Sequence, residues 1–187
     1  MKSTRKERIS WYLYDWANSA FYTTVITVFL GPYLTGITKN AADADGFVSL
    51  FGISIFAGSY FAFMVSFSVL LQLIFLPIVA AIADYSRRKK LMLGIFAYLG
   101  AFSTVGLYFL DDTNYQFGGF LFVLANLSFG ASVVIYNSFL NDIAEEDQRD
   151  NVSSIGWALG YLGGGIVLAL NLALFSNAEN LGISEGM

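Results

Sequence analysis

Residues 47–83 carry no charged side chain, and the run ends abruptly at Asp84, followed by the cations Arg87, Arg88, Lys89 and Lys90. A folded domain in water does not hide so long a stretch and then discharge it through four adjacent cations. A membrane span meeting an aqueous phase does. Composition points the same way. Of the 187 residues 56% are hydrophobic, 17% aromatic and 13% charged, with a mean hydropathy of +0.61, whereas soluble domains average about 25% charged residues. The fold class expected is all-α: a polytopic helical membrane protein with about five transmembrane helices.

Charge sidedness sets the threading. Span one is expected over about residues 11–34, whose 1.5 Å rise per residue gives about 36 Å, enough for a hydrocarbon core of about 30 Å. The uncharged run that follows is longer than one span and shorter than two. The cation clusters Lys2–Arg8 and Arg87–Lys90 belong on one side, which requires an even number of crossings between them. Span two is therefore expected over about 55–83, with residues 47–54 as an N-terminal extension or interfacial segment and Pro77 bending its inner end. Further spans follow at about 91–110, 117–140 and 152–175. On this threading nine cations lie inside and only Lys39 outside, placing the N-terminus in the cytoplasm; the membrane expected is the plasma (inner) membrane.

The sequence has no cysteine and no histidine. That removes disulfides, thiolate nucleophiles, a Ser-His-Asp arrangement and most metal or haem ligation. No enzyme activity, cofactor, metal site or nucleic-acid partner is expected; the lipid bilayer is the evident partner.

Polar residues inside apolar spans are the candidate working parts. Asp15, Asn18 and Tyr22 share one helical face at the inner end of span one, with Ser19 beside them. A carboxylate there either caps the helix end or lines a polar cavity as a proton or cation carrier. Asn137 and Tyr161 are the preferred cavity candidates among the remaining groups, which include Gln72, Asn126, Tyr136, Trp157 and Asn171. On span five Gly156, Gly160 and Gly164 recur every fourth residue, with Gly163 and Gly165 adjacent, making a smooth face for close helix packing. Asp84 and Arg88, with Lys89, are read as a gating loop whose charges hold one conformation and release in another.

Three stretches carry a family resemblance. The loop AAIADYSRRKKLM resembles the GxLADRxGRRxxL signature of the major facilitator superfamily, with Ala83, Asp84, Arg88, Lys89 and Met92 matching. Ala80, Tyr85 and Arg87 depart from it. Residues 14–25 (YDWANSAFYTTV) and 153–165 (SSIGWALGYLGGG) are similar to the vacuole-effluxer-like branch, the autophagy-related amino-acid exporters and their bacterial relatives. The resemblance implies a twelve-helix transporter of two six-helix halves rocking about a midplane site, of which residues 1–187 supply the N-terminal transmembrane bundle. The chain is accordingly expected to be a fragment, its partner being the missing C-terminal half. The function implied is secondary transport or export of small polar solutes, with amino acids a candidate class, by alternating access. The alternative is a non-transporting membrane subunit or scaffold that docks through the span-five glycine face.

Overall fold

The computed structural model describes residues 4–111 and 113–182. Five of its helices are long and apolar enough to cross a membrane: α1 (Arg5–Asn40), α2 (Tyr60–Tyr85), α3 (Lys89–Gly106), α4 (Tyr115–Ser138) and α5 (Arg149–Ser176). The chain is a polytopic helical membrane protein.

Helix α1 begins at a reciprocal cap. The Glu7 backbone N–H donates to Thr4 Oγ1 (3.3 Å), and the Thr4 backbone N–H donates to Glu7 Oε2 (2.8 Å), so two of the helix's orphan donors are satisfied. From Phe21 to Phe29 the helix widens to π geometry. That segment contains Thr23, Thr24, Val25, Ile26, Thr27 and Val28, a β-branched run that crowds an α-helical turn. The hydroxyls add a further cause. Thr23 Oγ1 donates to the Ser19 carbonyl (3.0 Å) and Thr27 Oγ1 to the Tyr22 carbonyl five residues back (2.9 Å), drawing acceptors away from the regular ladder. Wide turns of this kind concentrate at functional sites.

The segment after α1 differs from expectation. Asp43 Oδ1 accepts the backbone N–H groups of Asp45 (3.1 Å) and Phe47 (2.8 Å), closing a turn that launches a β-hairpin. Strands β1 (Phe47–Leu50) and β2 (Ile53–Phe56) pair antiparallel, with Phe47 opposite Phe56 and Leu50 opposite Ile53. Phe51 and Gly52 turn the chain with φ of +50° and +84°, the doubly positive backbone of a two-residue hairpin turn. Residues 47–54 are thus not a helical extension, and Ile55 belongs to β2 rather than to span two. The alternation in FVSLFGISIF favours a pleated strand whose faces differ, and Val48, Leu50 and Ile55 are the buried set. A 3₁₀ turn, Ala57–Ser59, leads into α2, which continues through Pro77 to Tyr85.

The chain divides into two compact units, Gly31–Ser138 and a second made of Met1–Leu30 with Phe139–Met187. In the first, α4 is central, with twelve of its 24 residues buried. Small residues let its neighbours approach. A Cβ at Gly100 of α3 would stand 3.4 Å from Ser128 Cβ, and one at Gly130 of α4 would stand 3.3 Å from Gln72 Cδ on α2. Amides are paired across the same contact: the buried Asn126 donates through Nδ2 to Ser68 Oγ (2.8 Å), and the half-buried Gln72 through Nε2 to the Asn126 backbone carbonyl (3.1 Å). Gln72 and Asn126 therefore serve helix association, as polar groups in membrane interiors commonly do.

In the second unit the stretch of α1 up to Leu30 packs along α5. A short helix, Leu140–Ile143, and a 3₁₀ turn, Glu146–Gln148, precede α5. Arg8 of α1 reaches this connection, donating through Nε to the Ile143 carbonyl (3.1 Å) and through Nη2 to Gln148 Oε1 (2.8 Å).

Candidate functional site

The α1–α5 contact places an acid against bare backbone. Gly156, Gly160, Gly163 and Gly164 are the buried residues of α5 beyond Val152, and they recur at helical spacing, so one face of that helix carries only hydrogens. Opposite them on α1 stand Asp15, Trp16, Ser19 and Thr23. A Cβ added at Gly160 would lie 2.7 Å from Asp15 Oδ2 and 2.9 Å from Ser19 Oγ. At Gly163 it would meet the Trp16 carbonyl oxygen and lie 2.5 Å from Trp16 Cδ1; at Gly164 it would lie 2.8 Å from Thr23 Cγ2. Gly165 has open space around it. Thr23 Oγ1 also approaches the Gly164 carbonyl at 3.2 Å, joining the two helices where α1 has entered its π segment.

Such an arrangement has a chemical consequence. Glycine removes the hydrocarbon that would otherwise separate the Asp15 carboxyl from the α5 backbone, leaving an ionisable group between two helices inside a span. Among the described residues no cation forms an ion pair with it. An intramembrane carboxyl so placed can bind a proton or cation and alter how two helices fit, because its charge state changes what the contact must accommodate.

The other expected site residues are distributed differently. Asn18 is half-buried on α1, whereas Tyr22 and Tyr161 are 56% and 69% exposed. Asn137 lies near the end of α4, exposed, in the unit formed by Gly31–Ser138. The structure thus brings Asp15 together with Gly160 and Ser19, and it leaves Tyr22, Tyr161 and Asn137 on surfaces. Trp16 and Thr23 are site residues that sequence reasoning does not single out. Extending the Asp15–Ser19 spacing by one more step of four reaches Thr23, which is the signal that could have found it.

The loop after α2 has its own geometry. Ser86 caps the reversal, its Oγ accepting the Arg88 backbone N–H at 3.0 Å. Asp84 and Arg88 are exposed and Lys89 is half-buried. No ion pair joins Asp84 to Arg88 among the described residues. Asp84 occupies the C-terminal turn of α2, and Arg88 and Lys89 open α3. Each charge is at the helix end where the macrodipole disfavours it, by about 0.3–1 kcal/mol. Local helix stability therefore does not account for these residues.

Comparison with known proteins covers nearly all of the chain. The model of the family described as "Vacuole effluxer Atg22 like" matches residues 3–185. An "Uncharacterized MFS-type transporter YxiO" of Bacillus subtilis is 31% identical over 98% of this chain and 41% of its own length. "Autophagy-related protein 22" of Gibberella zeae is 30% identical over 74% of this chain and 24% of its own length, and the Pyricularia oryzae protein of that name is 27% identical over 74% and 24%. The chain therefore spans well under half the length of the curated relatives it matches. No solved structure matches it. These matches and the five apolar helices establish that this chain belongs to the Atg22-like vacuole effluxer family, whose relatives include proteins named as transporters of the major facilitator type.

Proposed function

We propose that the protein to which these residues belong is a secondary transporter that moves small polar solutes, amino acids among them, across a membrane by alternating access. The observation that carries this reading is the Asp15 carboxyl seated against Gly160 and Ser19 inside the α1–α5 contact. A scaffold needs no ionisable group there. A transporter coupled to an ion gradient does, since the bound ion must bias one arrangement of helices over another. The π segment beside it supports the same reading, because wide turns of this kind concentrate at functional sites.

Asp15, Asn18, Tyr22 and Tyr161 are proposed to line the solute path, and Asp84, Arg88 and Lys89 to form the cytoplasmic gate. Helix-end charges placed against their local dipoles gain if a helix of opposite end is brought to them, which is what a gate between two halves requires. A cytoplasmic N-terminus is proposed on the nine-to-one cation distribution, and the membrane is taken as the plasma (inner) membrane. The rival reading, docking of a partner through the glycine face of α5, loses its surface: Gly160, Gly163 and Gly164 are already covered by α1.

The test is uptake by the full-length protein in sealed vesicles, using a panel of radiolabelled amino acids with and without an imposed pH gradient. Saturable, competable uptake of at least one amino acid is the expected result. Uptake indistinguishable from protein-free vesicles for every solute would overturn the amino-acid assignment.

A further inference from the structure

The β1–β2 hairpin displays apolar surface for which the fold itself has no use. Phe51 is 96% exposed, Ile53 60%, Phe56 53% and Phe47 40%, and Phe47 and Phe56 form an edge-to-face pair across the strands at 5.9 Å. Phe47 and Phe56 share one face, whereas Ile53, paired with Leu50 beside the turn, lies at the exposed tip of the other face, which is fixed to the helices along the rest of its length. Val48, Leu50 and Ile55 are buried, and Tyr115 Oη and Gln116 Nε2, at the start of α4, each donate to the Ser49 carbonyl at 2.9 Å. The exposed side is therefore presented by an anchored element.

The turn sharpens the point. Phe51 adopts φ +50°, a left-handed conformation that costs a bulky L-residue about 1–2 kcal/mol and that glycine or asparagine would fill without strain. An aromatic ring at this position is unfavourable on backbone grounds and again in water. Both costs are offset if the ring enters an apolar phase.

We propose that this hairpin is a membrane-interface anchor, in which Phe47, Phe51, Ile53 and Phe56 dip into the headgroup–acyl boundary of the leaflet opposite the Arg87–Lys90 loop. Level and continuity both support this occupant. The helical stretch Ala57–Tyr85 has 29 residues and is about 43 Å long at 1.5 Å per residue, close to the roughly 40–45 Å of a bilayer with its headgroups. With its Tyr85 end at one headgroup surface, the hairpin joined to its Ala57 end lies at the other. The exposed rings continue the apolar exterior of α2, where Leu70, Leu73, Ile74 and Ile78 are 53–70% exposed. Residues 47–83 themselves carry no charge, and the Lys39 side chain reaches the base of the hairpin, its Cε 3.8 Å from where a Cβ at Gly58 would stand. Lys39, Asp43 and Asp45 precede it as a polar rim. The open strand edges keep their backbone groups among headgroups and water, so only side chains enter the hydrocarbon.

The chain contains no cysteine, so a nitroxide label goes to one chosen position. Phe51→Cys and Ile53→Cys, labelled in the intact protein in phosphatidylcholine–phosphatidylglycerol vesicles, are compared with Asp45→Cys by collision with oxygen and with a water-soluble nickel chelate. The expected result is an oxygen-to-nickel collision ratio several-fold higher at positions 51 and 53 than at 45. A ratio at position 51 equal to that at 45 would place the tip in water and overturn the proposal. Exclusion of both reagents from position 51 would overturn it equally, by showing that protein covers the hairpin. Because Phe51 makes no buried contact, its replacement leaves the fold intact.

Discussion

Replacing Gly163 with valine is expected to destabilise the α1–α5 pair by about 3 kcal/mol, the upper part of the usual range for overpacking a close contact. The obstruction there is backbone: the new Cβ meets the Trp16 carbonyl oxygen and lies 2.5 Å from Trp16 Cδ1, and a helical carbonyl cannot rotate aside without breaking its own ladder. Thermal unfolding in detergent, read by loss of monodisperse protein on size exclusion, measures the effect. The neighbouring glycines grade the expectation. Gly164→Ala presses on Thr23 and on the Ser19 carbonyl at 3.2 Å and is expected to cost less. Gly160→Ala meets chiefly the Asp15 carboxyl, a side-chain end that can turn away, and less again is expected. Gly165→Ala meets nothing within 4 Å, so it is expected to be neutral or to gain up to about 1 kcal/mol from helix propensity. Equal effects at 163 and 165 would mean that the glycine face is not where these helices touch.

Asp15→Asn is expected to uncouple transport without unfolding the protein. The amide is nearly isosteric with the acid and fits the same space beside Gly160 and Ser19, but it cannot take up and release a proton. In the full-length protein, uptake stimulated by an imposed pH gradient should fall by about tenfold or more, consistent with usual coupling energies of about 1–3 kcal/mol between two ligands. Exchange of solute across vesicles without a gradient should persist, because the substitution leaves the other residues proposed to line the solute path in place. Stability should be unchanged or higher, since a half-buried ionisable group is replaced by a neutral one. Unaltered stimulation by the gradient in the D15N variant would remove Asp15 from ion coupling and leave it a packing residue. Gly160→Ala provides a second view of the same contact, because it displaces the carboxyl and retains its ability to ionise.

Much of this architecture can be read from residue order because charges punctuate it. Asp84 with Arg87–Lys90 marks the end of α2 and the start of α3, and the five long helices follow from the apolar runs between such marks. The hairpin cannot be read in the same way. Its ten residues belong to the same uncharged run as α2, and its turn is Phe-Gly rather than the Asn-Gly or Asp-Gly that would announce a doubly positive turn. Only the alternation of Val48, Leu50 and Ile55 with their exposed neighbours distinguishes it. At the candidate site, the Asp15 face and the glycine face are each visible, because helical spacing is a local property. That they face one another is a long-range pairing of residues about 145 positions apart, and no local pattern encodes it. Tyr22, Tyr161 and Asn137 stand out in the sequence as polar groups in apolar segments. Their exposure in the structure follows from which faces α1, α4 and α5 turn toward their partners, which periodicity leaves open for helices apolar on every side.

The proposed gate, the cavity opening and the leaflet assigned to the hairpin all depend on which side of the membrane the basic loops occupy. Single cysteines at Asp45 and at Tyr85, which is 92% exposed, test this directly when intact cells are treated with a membrane-impermeant maleimide. Labelling at position 45 in intact cells, with position 85 reacting only after the membrane is opened, is the predicted result. Labelling of position 85 in intact cells would contradict it.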